Sequence, residues 1–154
     1  MMRKIALLGL LLLPFAPDTQ AGTPGKLPGR TVATRQLPDT IARFLSGQFV
    51  GRSFTYRQDK TCYYACYGER EYILFSREGT VLGFRFHTMQ PPREVAACIP
   101  HGIAVYIRKH YPDSYTDVFL PEGEGFRAEL YGKEDKILYF DRSGKLLREE
   151  TPEK

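Results

Sequence analysis

The sequence predicts an α+β fold of two tandem repeats, each one helix followed by about four antiparallel strands. Three observations predict it. Leu37-Pro38-Asp39-Thr40-Ile41-Ala42-Arg43-Phe44-Leu45 returns 62 positions later as Ile99-Pro100-His101-Gly102-Ile103-Ala104-Val105-Tyr106-Ile107. Ile73-Leu74-Phe75, with Gly79, Val81 and Leu82 behind it, returns as Leu138-Tyr139-Phe140, with Gly144, Leu146 and Leu147, now offset by 65. Two blocks in one order, differing by a three-residue insertion, are the mark of a duplicated structural unit. Behind each first block the apolar period also changes from 3.6 to 2, from helix to strand.

Two segments precede the first unit. Residues 1–21 read as a signal peptide, with Arg3 and Lys4 ahead of an apolar run from Ile5 to Leu13 and a small-residue cleavage site at Thr19-Gln20-Ala21. The run is shorter than the roughly 20 residues a bilayer span needs. The chain is therefore expected to be exported, periplasmic or extracellular, and not membrane-spanning. Gly22 to Thr34 holds three Gly and two Pro with little to bury, and reads as a flexible leader.

The first repeat is assigned to residues 35–86 and the second to 94–150. A linker at 87–93 containing Pro91-Pro92 joins them, and a tail follows at 151–154. Pro38 and Pro100 suit a first helical turn, where a missing N–H costs nothing. Ile41, Phe44, Leu45 and Phe49 then form one apolar stripe, matched by Ile103, Tyr106, Ile107 and Tyr111. Gly51 and Pro112 mark the exits. The first repeat offers strands at Phe54 to Gln58, Cys62 to Tyr67, Glu71 to Ser76 and Thr80 to Phe86. The second offers Tyr115 to Leu120, Phe126 to Tyr131, Lys136 to Asp141 and Lys145 to Glu149.

Strand alternation sorts these side chains by face. With Phe75 and Phe140 turned toward the helices, Ile73, Leu138, Tyr64 and Phe126 are expected inward. Tyr63, Tyr67, Tyr72, Leu74, Arg127, Glu129, Tyr131, Ile137 and Tyr139 are expected outward. Tyr and Arg on a rigid surface make good interface anchors. Tyr63, Tyr67, Tyr72, Leu74, Arg127 and Tyr139 are therefore the candidate binding residues. The alternative is that these tyrosines pack between the two repeats.

Composition narrows the function. The formal charge is +4, with basic residues scattered among acidic ones, which argues against nucleic-acid binding. Cys62, Cys66 and Cys98 are the disulfide candidates, one of them necessarily unpaired. Cys62 and Cys66 cannot pair within one regular strand, where four steps of about 3.3 Å separate them. A bridge from Cys98 to either would staple the repeats together. Zinc binding by Cys62 and Cys66 with His87, His101 or His110 fits no common spacing. A Cys98–His101 nucleophilic pair requires the base turned toward the thiol, and here it lies across a helix start. Glu122, Glu124, Glu134, Asp135 and Asp141 fall in turns, where acidic residues serve conformation. No catalytic residue, metal or cofactor is expected.

The recurring Leu/Ile-Pro-x-x-Ile followed by hydrophobic-x-Phe-x-x-x-Gly resembles the PepSY-like repeat. It is nearest to the tandem group of exported bacterial proteins compared in shape with β-lactamase-inhibitor proteins. Ile99 to Glu149 carries it best, through Tyr111-Pro112-Asp113 and Leu138-Tyr139-Phe140-Asp141 with Gly144. Val50-Gly51 and Ser76 depart from it in the first repeat. The resemblance implies a non-enzymatic protein that binds another exported or cell-envelope protein. An inhibitor or regulator of a secreted peptidase or other exported enzyme is the second reading.

Overall fold

The computed structural model describes residues 27–153. The segment read as a signal peptide and the start of the expected leader lie outside them. Short β1 (Arg30–Val32) and a 3-10 turn (Thr34–Gln36) lead into α1 (Asp39–Gln48). Four strands follow: β2 (Thr55–Gln58), β3 (Cys62–Tyr67), β4 (Glu71–Ser76) and β5 (Val81–Arg85). Then come α2 (Arg93–Ala96), α3 (His101–His110) and β6 (Ser114–Glu122), β7 (Gly125–Gly132), β8 (Lys136–Phe140) and β9 (Leu146–Glu150). Pro38 and Pro100 stand immediately ahead of α1 and α3, and Arg108, Lys109 and His110 face the negative end of the α3 dipole.

The helices and strands form close to where the residue spacing puts them, but their organisation differs from the expectation. All nine strands belong to one antiparallel sheet in the order β1 to β9. Two separate helix-plus-four-strand repeats are therefore not the architecture; the protein is mostly one sheet with few helices. The overturning contact is between β5 and β6, where Phe84 opposes Phe119 and Arg85 opposes Val118. The Phe86 amide extends this seam by donating to the Asp117 carbonyl at 2.7 Å. The physical reason is an edge problem. Left apart, β5 and β6 would each expose unpaired backbone and an apolar row, whereas paired they bury both. Repetition in sequence reports local pattern and says nothing about which edges join. Arg30–Val32, placed in the leader from composition, adds the ninth strand by pairing with β2.

All three helices contribute to one core on one face of the sheet. Ile41, Leu45, Ile103, Ile107 and Val95 meet Ile73, Phe75, Phe84, Phe119, Leu138 and Phe140 there. Phe44 sits edge-on to Phe75 and Tyr106 edge-on to Phe140, each at 5.7 Å. Phe49, Phe86, Phe84 and Phe119 continue the aromatic line across the seam.

Glu71 is the buried charged side chain among the described residues, 6% exposed. Its Oε1 accepts the His87 amide at 2.8 Å, the Thr88 amide at 2.6 Å and the Thr88 hydroxyl at 2.7 Å, clamping the exit from β5. Burial by itself raises its pKa, but the Thr88 hydroxyl and the Thr88 and His87 amides together hold it below the ordinary value. Its contribution to stability is thus complete above the unfolded carboxylate pKa of about 4.3. It is lost as pH falls through the lower folded value. Glu71→Gln is expected to lower the unfolding free energy by about 1.5 kcal/mol at neutral pH. Urea curves from pH 7 down to pH 3, taken on both proteins, should show that difference closing in acid.

Candidate functional site

The face opposite the helices carries the candidate surface. Directly opposed residues of an antiparallel pair share a face, so the register assigns every side chain. One row runs Thr55, Cys66, Tyr72, Arg85, Val118, Glu129, Ile137 and Glu150 across eight strands. Its neighbour holds Arg57, Tyr64, Leu74 and Gly83 in the first half of the sheet and Leu120, Arg127, Tyr139 and Arg148 in the second. Among the described residues no helix covers this face.

Tyr72, Leu74, Arg127 and Tyr139 stand on this open face, with Tyr131 and Ile137. Tyr63 and Tyr67 do not, which corrects the sequence reading. Tyr63 opposes Phe75 and is buried in the core at 9% exposure, while Tyr67 opposes Glu71 on the helix side. The Tyr67 ring packs on Phe54 at 5.9 Å and beneath the Arg52 guanidinium at 5.1 Å. Tyr64, expected inward, faces out instead, edge-on to Tyr72 at 5.8 Å. The signal for this parity lies in the turn. Only Gly68, Glu69 and Arg70 separate β3 from β4, so Tyr67 must oppose Glu71 and share a face with Ile73. Packing between two repeats does not occur, because the halves share one sheet.

The three thiols are free. Cys62 and Cys66 share the open face at the spacing of a regular strand, too far apart to pair. Cys98 lies at the end of α2 against the core, on the other side of the sheet. Burial pushes the Cys66 thiol up and the Cys98 thiol up to about 12, so neither is a ready nucleophile. Among the described residues no group of His, Cys, Asp and Glu side chains is placed to hold a metal ion.

Sequence reasoning missed Arg85, although it alternates with the inward Phe84 and Phe86 and was legible for that reason. The Glu129 carboxylate lies 2.8 Å from Arg127 and 3.7 Å from Arg85. Tyr139 lies between two guanidiniums, Arg148 at 3.9 Å and Arg127 at 5.8 Å from its centroid, and its hydroxyl donates to Glu150 at 3.3 Å. Val118, Leu74 and Cys66 form a buried floor beneath these longer side chains. Burial raises the Tyr72 pKa and the Asp117 pKa, the latter opposed by His87 at 3.5 Å. A cavity of about 700 Å³ opens beyond Tyr139 and Arg148, between the β6–β7 and β8–β9 turns.

No family model and no curated protein matches the chain. Solved structures do. One is a Bacteroides thetaiotaomicron protein provisionally designated a calcium-regulated periplasmic protein. It is 17% identical, covers 79% of this chain and 96% of its own, and superposes with a TM-score of 0.61. A second, from Bacteroides vulgatus and provisionally described as a periplasmic protein of the DUF2874 family, is 16% identical at the same coverages, with a TM-score of 0.62. At these identities the likeness is one of fold. A BLIP-like protein from Bacteroides fragilis matches 82% of this chain and 89% of its own at 16% identity, but its TM-score of 0.31 is too loose a superposition to build on. No helix among the described residues is long and apolar enough to cross a membrane.

Proposed function

We propose that the protein is an exported, periplasmic, non-enzymatic binding protein whose open sheet face engages another exported or cell-envelope protein. The observation that carries this reading is the uncovered face itself. Tyr72, Arg85, Arg127, Tyr139 and Arg148 stand on rigid strands over an apolar floor, with no helix above them among the described residues. Rigid Tyr and Arg lose little conformational entropy on binding and dominate interface energetics. The periplasmic designations of the fold neighbours support the location, as does the secretory pattern of residues 1–21. The PepSY-like resemblance of Ile99 to Glu149 supports the binding class.

The test is capture from the envelope and secreted fractions of the source cell, with the chain from Gly22 as bait. A specific partner is expected with the native bait and about 100-fold weaker binding with Tyr72→Ala plus Tyr139→Ala, equivalent to about 2.7 kcal/mol. The double variant should unfold within a few degrees of the parent. Equal binding by both baits, or no partner at all, would refute this use of the face. A captured peptidase whose turnover slows at stoichiometric protein would identify the binding as inhibitory.

A further inference from the structure

We propose that Arg85 and Arg127 together form a receptor for a carboxylate carried by an acidic segment of the partner protein, an inference that rests on the open face being the docking face. Two guanidiniums on neighbouring halves of the sheet converge on Glu129, 2.8 Å from Arg127 and 3.7 Å from Arg85. Among the described residues Glu129 is the acidic group within ion-pair reach of either. One carboxylate set against two permanent cations leaves one positive charge without a counter-ion.

The hydrogen-bonding inventory agrees with the charge count. Each guanidinium carries five N–H donors. The Nε of Arg85 and the Nε of Arg127 are both buried and have no acceptor among the described residues. Leaving such a donor unsatisfied costs about 1–3 kcal/mol, so the side chains are held in place by their surroundings instead of by bonds at Nε. Those surroundings are Tyr72 beside Arg85 in the cross-strand row, and the Tyr139 ring 5.8 Å from Arg127. With Nε turned toward the sheet, the terminal Nη groups are what a partner can address. The side chains remain 37% and 31% exposed.

The other charged groups on the face already have partners of their own. Arg148 pairs with Glu150 at 3.4 Å and covers Tyr139. Arg57 donates to the carbonyls of Pro28 and Gly29. Asp117, near Glu129 in the β6 bulge, faces His87 at 3.5 Å and lies beyond ion-pair reach of either arginine. What is left over is a cationic pair flanked by tyrosines, across a floor of Val118 and Leu74. It fits a partner side chain that accepts two or more N–H bonds in a plane, which is an Asp or Glu carboxylate. Planar, bidentate acceptance on a partly desolvated floor is where such a contact has most effect.

The guanidinium N–H signals give a direct test. In a ¹H–¹⁵N spectrum of the folded chain from Gly22, the Nε–Hε resonances of Arg85 and Arg127 are expected to shift saturably with capped hexaglutamate. Capped hexalysine, or sodium chloride at matched ionic strength, should leave them in place. Arg85→Gln plus Arg127→Gln should abolish saturable binding while amide dispersion is retained. Arg85→Lys plus Arg127→Lys should weaken it by about tenfold, because the charge stays and the fork is lost. Unmoved resonances overturn the proposal, as does equal binding by the Gln variant. Shifts of the same size with inorganic phosphate overturn it too, since they would mark a general anion site. The two proposals fail separately. Capture that depends on Tyr72 and Tyr139 but not on the arginines sinks the receptor and leaves the docking face. Saturable hexaglutamate shifts, with capture that depends on the arginines but is indifferent to Tyr72 and Tyr139, leave the receptor and sink the tyrosine anchors.

Discussion

Phe84→Ala is expected to lower the unfolding free energy by about 3–5 kcal/mol, the usual cost of emptying a closed aromatic site. Phe84 is fully buried, and its ring lies 6.0 Å from Phe86 and 6.5 Å from Phe119. The Phe119 contact crosses from β5 to β6, so the void opens on the one seam that makes the two halves a single sheet. With typical domain stability of 5–15 kcal/mol, that loss is a large fraction of the total. The transition should remain a single step, because neither half keeps a closed edge without the other. Guanidinium unfolding followed by circular dichroism and by tyrosine fluorescence should give coincident midpoints, both shifted down. Two separated transitions would show that the halves fold independently and that the seam adds little. Tyr131→Ala, at a 55% exposed position on the same sheet, should change stability by no more than about 0.5 kcal/mol.

Local structure was legible because it depends on neighbours in sequence. The stripe Ile41, Phe44, Leu45 and Phe49 needs only 3.6-residue spacing to declare a helix, and β3 and β4 have the predicted limits. The joining of β5 to β6 was not legible. It depends on which edges meet after the chain has passed through α2 and α3, and repeated motifs on either side favour two units as readily as one sheet. The open face was half legible. Tyr72, Leu74, Arg127 and Tyr139 follow from alternation out of Phe75, Phe126 and Phe140, whose inward direction is secure. Tyr63 and Tyr67 lie on the other face because the short turn to β4 sets the parity of β3, and a one-residue shift of parity exchanges every side chain on a strand. The pairing of Arg85 and Arg127 around Glu129 lies beyond any local pattern, since it brings together residues from both sides of the seam.

Gly83→Ala is expected to be nearly as damaging as Phe84→Ala, for a different reason. Gly83 opposes Leu74 within the sheet, and a methyl group there would run into the carbonyl oxygen of Phe119. It would also stand 3.2 Å from the Leu120 Cα and 3.2 Å from the Pro121 ring. Carbonyl and Cα belong to the β6 backbone, so no side-chain rotation relieves the clash and the strands themselves must separate. A loss of about 3 kcal/mol is expected, at the upper end of what overpacking costs. Amide exchange should locate it. The N–H of Phe86, bonded to the Asp117 carbonyl across the seam, should lose protection before the α1 amides do. Gly47→Ala supplies the contrast. It lies in α1 with nothing within 4 Å of the added carbon, so it should raise stability by about 0.5–1 kcal/mol. If Gly83→Ala behaved like Gly47→Ala, β5 and β6 would not be in close contact, and the open face would divide at Arg85 instead of running unbroken to Arg127.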